Sequence, residues 1–215
     1  MSVQQRPSKI ICVGRSYADH AKELGNAVPE QALLFIKPPS SIVSLEQGID
    51  WDKALGSCHY ECELCLRIDQ TLSQETDPQK ALQAVGAVTL GLDLTLRDVQ
   101  NQLKEKGHPW ERAKAFDGSC VLGDWIDVNQ VVADWRNVHY DFYVDDEHRQ
   151  HGDTALMLFD LGELLVEMNK IFRLEQGDVI MTGTPKGVAA LQSQQQVKMV
   201  LHGKQQDYEW QTVVK

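Results

Sequence analysis

The stretch HYECELCLRID, residues 59–69, governs how the rest of the chain is read. In an extended backbone, successive side chains point to opposite faces. The even positions Tyr60, Cys62, Leu64, Leu66 and Ile68 form an apolar stripe, and the odd positions gather His59, Glu61, Glu63, Cys65 and Arg67. Leucines and cysteines place such a strand inside the protein. Yet Glu61 and Glu63 stand roughly 7 Å apart on one face and repel each other. A buried like-charge pair requires a proton or a cation.

A third carboxylate comes from GLDLTLRD, residues 91–98, where Asp93 faces away from Leu92 and Leu94 and shares a side with Thr95 and Arg97. Three carboxylates from two strands make a hard, all-oxygen site suited to Mg²⁺ or Mn²⁺. The competing reading is an acidic edge strand facing water. Cys62 and Cys65 form a C-x-x-C, but a zinc site needs two more ligands at matched spacing, and Cys12 and Cys120 stand alone. A redox pair opens a helix, whereas strand alternation points these thiols apart. They are read as packing residues.

Outward from this stretch, the pattern is mixed. Strands are expected over residues 9–13, 32–37, 88–95, 138–144, 179–181, 197–201 and 208–214. Helices are expected over 16–24, with Gly25 as the stop, and over 77–85, 98–106 and 154–172. The last of these carries Leu158, Leu161, Leu165 and Met168 at helical spacing. Residues 107–124 read as a long loop with short strands, and Asp145-Asp146 as a hairpin turn. Scattered helices among more numerous strands give an α+β, β-rich fold, in one domain spanning residues 1–215, rather than a doubly wound sheet.

The 215 residues carry a formal net charge of −10, which disfavours nucleic acid and anionic membrane surfaces as partners. No apolar run is long enough to span a bilayer. The opening MSVQQRP lacks the apolar core of a signal peptide, so a cytoplasmic location is expected. Five cysteines, an odd number, favour free thiols over a disulfide framework.

Two further features carry chemistry. His20 and Glu23, three apart on a predicted helix, can meet, and a carboxylate holding an imidazole is how a general base is oriented. A solvated i,i+3 pair explains the same spacing. Lys114, in ERAKAFDGS, is either a site cation or ordinary surface charge. TGTPKG, residues 182–187, lacks Walker spacing and reads as a tight loop lining a pocket.

VGRSYADHAKEL, LLFIKP, HYECEL, GLDLTLRDVQ, AKAFDGSCVLG and GDVIMTGTPKGV, in that order, resemble the fumarylacetoacetate hydrolase superfamily, in its short bacterial hydrolase/isomerase branch. The resemblance runs from Lys9 to Val188 and into the closing strands. It implies a mixed β-roll with peripheral helices, a homodimer, and a divalent metal, Mg²⁺ or Mn²⁺, on Glu61, Glu63 and Asp93. It further implies a water-activating dyad of His20 and Glu23, with Lys114 as the active-site lysine. Arg15, Lys37, Arg97, Gln100 and Thr184 fall at positions similar to substrate-pocket residues. Ser16 and Asp69 stand where Asn and Gly are common in the family.

The expected chemistry is that of small 2-oxo acids. Metal-assisted enolate formation serves C–C hydrolysis, decarboxylation or proton transfer alike. The leading expectation is hydrolysis of acylpyruvates such as fumarylpyruvate or acetylpyruvate. The alternative is an oxaloacetate tautomerase or decarboxylase, or a 2-hydroxymuconate-type isomerase. A metal- or dicarboxylate-binding protein without turnover would leave His20, Glu23 and Lys114 without a task.

Overall fold

The computed structural model describes residues 6–23, 25 and 29–215. The chain runs through β1 (Ile10–Gly14), α1 (Ala18–Glu23), β2 (Leu33–Lys37), β3 (Ile42–Ser44), β4 (Cys58–Tyr60) and β5 (Cys62–Ile68). Then come α2 (Pro78–Gln83), β6 (Val85–Asp93), β7 (Thr95–Leu96), α3 (Arg97–Glu105) and α4 (Glu111–Lys114). Two short strands, β8 (Cys120–Leu122) and β9 (Ile126–Asp127), and α5 (Val128–Val131) precede the hairpin of β10 (His139–Val144) and β11 (Glu147–Asp153). The remainder is α6 (Leu161–Ile171), β12 (Val179–Met181), β13 (Ala189–Ala190), β14 (Gln196–His202) and β15 (Asp207–Val213).

The expected β-rich α+β architecture is the one observed. A mixed sheet in the order β2-β1-β12-β5-β6-β8-β3, with β9 against β6, forms the centre. An antiparallel sheet, β11-β10-β14-β15, and a small one, β13-β4-β7, complete it. Within the central sheet β1 runs parallel to β12 and β3 parallel to β8. No helix among the described residues is long and apolar enough to cross a membrane.

β5 is buried on both faces until Arg67. Its even residues enter the main core with Tyr140 and Phe142 of β10, Met199 and Leu201 of β14, and Leu165 and Met168 of α6. On the odd face, Cys65 joins Cys12, Cys120 and Met181 in a second, sulfur-rich cluster with Ile10, Leu122 and Val179. All five cysteines are free and buried.

The single strand expected over 59–69 is in fact two. β4 pairs with β7 and β13, whereas β5 pairs with β6 and β12. Glu61 is the residue at which the chain changes sheets, and its carbonyl accepts the Asp93 N–H at 2.9 Å. That break turns Glu61 and Asp93 toward each other at one end of the sheet.

The helix expected over 154–172 begins only at Leu161. The Asp160 side chain accepts from Gly162 N and caps α6, and Leu158 N–H is committed to the Ser16 carbonyl at 2.7 Å. The helix expected over 16–24 spans Ala18–Glu23, and Leu24 lies outside the described residues. Gly25, in the left-handed region (φ +66°), donates to Lys22 O as a helix stop does. The loop expected over 107–124 contains the short helix α4, which carries Lys114.

Asp145 and Asp146 both have positive φ (52° and 62°), the geometry of a two-residue hairpin turn. In that hairpin the buried Tyr140 lies opposite Gly152, and its ring covers the glycine so closely that an added Cβ would sit 2.1 Å from ring carbons. Gly152→Ala is therefore expected to destabilise the fold by about 1–3 kcal/mol through overpacking. A chemical-denaturation midpoint unchanged from wild type would overturn this account of the hairpin.

Candidate active site

Glu61, Glu63, Gly91 and Asp93 share one face at the end of the β5–β6 pair, because Glu63 lies opposite Gly91 and strand alternation brings Glu61 and Asp93 to the same side. One carboxylate oxygen from each of the three acids lies within 4.8 Å of the others. All three are buried, at 5 % exposure or less.

Three buried cations meet them. Lys114 Nζ bridges Glu61 Oε2 at 2.7 Å and Asp93 Oδ2 at 2.5 Å. Arg97 donates to Glu61 Oε1 through Nη2, while its Nη1 is held by Gln100 Oε1 at 2.7 Å. Lys37 Nζ lies 2.8 Å from Asp93 Oδ1, off hydrogen-bonding geometry, so that oxygen is buried without a hydrogen-bond donor. Lys37 also donates to the carbonyls of Lys114 and Leu94, which ties β2 to α4 from behind the carboxylates.

Glu63 differs from its neighbours. Its Oε2 accepts the Gly183 N–H at 2.7 Å, and among the described residues it forms no ion pair. Burial, compounded by the charges of Asp93 and Glu61, pushes its carboxyl well above the usual range. Burial works against the charge on Glu61 too, but Lys114 and Arg97 outweigh it and hold that carboxyl below the usual range. The Lys114 ammonium is likewise opposed by burial and held charged by Asp93 and Glu61.

This donor set fits a divalent cation. Three convergent buried carboxylates, one of them without an ion-pair partner among the described residues and pushed above the usual range by burial and its acidic neighbours, are the arrangement that a hard dication neutralises. Glu61, Glu63 and Asp93 could hold it.

The wall above comes from α1 and the loop after β12. His20 is 4 % exposed, its Nδ1 stands 3.4 Å from Glu23 Oε2, and it lines the cavity above the carboxylates. The solvated-pair reading of His20 and Glu23 is thus excluded for the imidazole. Burial lowers the His20 pKa, with Glu61 and Glu23 pulling the other way. Glu23 in turn accepts the Gly187 N–H, so α1 and the loop are tied together. Gly183 has φ +97°, and a Cβ there would lie 2.3 Å from Ser16 Oγ, which itself donates to Thr182 O. Only glycine lets this loop approach closely enough for its N–H to reach Glu63.

Arg15, Arg97, Gln100, Lys114 and Thr184 line the same cavity; Lys37 and Asp93 are not among its lining residues. Two residues there were not singled out from the sequence. Lys104, one turn after Gln100 on α3, lines the cavity, and its pKa is lowered to about 8 by burial and by Arg97 and Arg15. Gln150 of β11 is buried and joins three segments. Its Oε1 accepts Cys62 N at 3.0 Å, and its Nε2 donates to Thr184 Oγ1 and Pro185 O at 2.8 Å each. The available signal was its register: opposite Phe142, it occupies a core-facing position with a polar side chain.

Residues 9–212 match the family described as fumarylacetoacetate (FAA) hydrolase, C-terminal. The chain belongs to this family. Among its relatives, the oxaloacetate tautomerase YcgM of Escherichia coli is 43 % identical over 196 residues, covering 91 % of this chain and 89 % of the relative. The mitochondrial oxaloacetate decarboxylase of Dictyostelium discoideum is 36 % identical over 208 residues, 96 % and 94 % of the two chains. The fumarylpyruvate hydrolase of Pseudomonas aeruginosa, solved with Mn²⁺ and pyruvate, superposes with a TM-score of 0.85 at 30 % identity, covering 97 % of this chain and 91 % of that one. This FAA hydrolase-family chain is an enzyme, and its relatives span tautomerase, decarboxylase and hydrolase activities.

Replacing Gln150 by Leu strips partners from Cys62 N and Pro185 O at once, and leaves Thr184 Oγ1 only its bond to Cys62 O. Unpaired buried polar groups cost about 1–3 kcal/mol each, so Gln150→Leu should lower the unfolding free energy by at least that amount and raise KM as the Thr184–Pro185 loop loosens. Wild-type stability and KM in the variant would show that the loop is held by other means.

Proposed function

We propose that this enzyme interconverts the keto and enol forms of oxaloacetate, using Mg²⁺ or Mn²⁺ on Glu61, Glu63 and Asp93. The observation that carries this reading is the similarity to the Escherichia coli tautomerase across 91 % of the chain. It ranks the sequence-derived alternative above acylpyruvate hydrolysis. Charge is compatible with it. A divalent cation beside Lys37, Arg97 and Lys114, with Arg15 and Lys104 at the cavity wall, favours an anionic substrate such as a dianionic 2-oxo acid.

The bound cation supplies Lewis-acid polarisation of the 2-oxo group. The protein's own residues do the rest. Tautomerisation moves one proton between C3 and the oxygen on C2. His20 is kept neutral by burial, and Glu23 holds its Nδ1, so Nε2 is the nitrogen left to take the C3 proton. Lys114 and Arg97 keep positive charge beside the oxygen on which negative charge develops. Lys104 and Arg15, at the same wall, are placed to attract the second carboxylate.

The Pseudomonas fumarylpyruvate hydrolase supports a second reading, in which the same imidazole activates water for C3–C4 cleavage. Purified protein given enol-oxaloacetate, fumarylpyruvate and acetylpyruvate separates the two. Tautomerisation is expected to have the highest kcat/KM, and faster pyruvate release from fumarylpyruvate would reverse the ranking. Chelator should remove turnover, and Mg²⁺ or Mn²⁺ should restore it; full activity in metal-free protein would refute the carboxylate site.

His20→Ala should cost roughly 10²- to 10⁴-fold in kcat, with metal affinity retained. In wild type, kcat/KM should fall on the acid side as His20 gains its proton, below the ordinary histidine range because its folded pKa is lowered. Glu23 favours the protonated ring, so Glu23→Gln should move that limb to still lower pH. An acid limb unmoved in Glu23→Gln would show that another group titrates there.

A further inference from the structure

Among the described residues a second group of side chains brings three ligand atoms within 4.8 Å of one another, on the outer face of the β11-β10-β14 sheet. Asp141 lies at its centre, on β10. Its Oδ1 accepts from His148 Nε2 at 2.7 Å and from His151 Nδ1 at 2.9 Å, and its Oδ2 from His202 Nε2 at 2.9 Å. His202 Nδ1 is held in turn by Asp207 Oδ1 at 3.0 Å.

This convergence needs a local departure from regular pairing. Residues 148 and 151 are three apart, so an unbroken strand would point them to opposite faces. The register of β10 with β11 shifts between Phe142 and Tyr143, leaving Arg149 as the extra residue, and this bulge turns both imidazoles outward. The same segment keeps Gln150 facing inward onto the Thr184–Pro185 loop.

We propose that Asp141, His148 and His151, with His202 beside them, form a second cation site for a borderline transition-metal ion such as Zn²⁺. Donor atoms around a tetrahedral ion with bonds of about 2.0–2.1 Å stand about 3.3 Å apart. The Asp141–histidine separations of 2.7 and 2.9 Å reach that spacing with shifts of about half an ångström. The imidazoles are free to make them, since the His148 and His151 side chains are 48 % and 50 % exposed while Asp141 is held at 16 %. Two or three imidazoles with one carboxylate favour Zn²⁺, Ni²⁺ and Cu²⁺ over Mg²⁺ and Mn²⁺. The Asp207–His202 pair is the carboxylate–imidazole contact that orients a metal-binding histidine. Nearby cations are already matched: Arg149 pairs with Glu147 at 2.5 Å and Lys186 with Asp19 at 3.2 Å. The hollow beside His148 and His151 is open to solvent, which leaves room for water ligands.

The two centres thus sort cations by donor hardness, and the outer one stitches three strands together. Tag-free protein saturated with Mg²⁺ and titrated with Zn²⁺ in a calorimeter should take up one equivalent per chain. His148→Gln/His151→Gln should bind it at least about 100-fold more weakly, and Asp207→Asn about 10- to 100-fold more weakly. Both variants should keep wild-type Mg²⁺-supported turnover. Cu²⁺ bound to wild type should show imidazole nitrogen couplings in its electron paramagnetic resonance spectrum, and in the double variant these should be reduced to those of His202 alone. A Zn²⁺ titration indistinguishable between wild type and folded double variant would overturn the site, as would nitrogen couplings unchanged in number by the substitutions.

Discussion

Three carboxylates buried within a few ångströms of one another form the constraint around which this molecule is arranged. Their mutual repulsion is offset by Lys37, Arg97 and Lys114, drawn from β2, α3 and α4. Each cation therefore acts as an anchor for the segment that bears it. Removing one partner of a buried ion pair leaves an uncompensated charge and typically costs about 3–5 kcal/mol. The geometry of the site and the docking of these peripheral segments are in this sense one problem. Glu63, which faces a backbone N–H, is the one of the three without an ion-pair partner among the described residues.

Much of this was legible in the chain because strand alternation is strict. The face shared by Glu61 and Glu63, the company of Asp93, and the packing role of the cysteines all follow from a period of two. The i,i+3 spacing brought His20 to Glu23. What alternation does not reveal is a change of partner: the pattern of residues 59–69 continues through Glu61 although the backbone leaves one sheet for another there. Helix periodicity failed in the same way at 154–160, where Asp160 and the Leu158–Ser16 bond set the start of α6. Gln150 escaped notice because its importance lies in long-range hydrogen bonds. Lys114 was ambiguous because a lysine's partners, far away in sequence, decide whether it is surface charge or part of a site.

The same wall of side chains is compatible with proton transfer, decarboxylation and C–C cleavage, which is how one family holds relatives of all three names. In this chain Arg15, Gln100, Lys104 and the Thr184 loop complete the cavity around the carboxylates. The tie between Glu23 and Gly187 joins that loop to α1, which also carries His20.

Beneath the carboxylates lies the cluster of Cys12, Cys65, Cys120 and Met181. Burial, reinforced by neighbouring charges from Asp93 and Glu63, holds the three cysteines as neutral thiols. A neutral thiol is a poor ligand and a poor nucleophile. The interior thus carries fully buried sulfur close to the three carboxylates. With no surface exposed to solvent, those sulfurs sit out of reach of bulky thiol reagents, so the strands that carry the carboxylates are packed on an unreactive base.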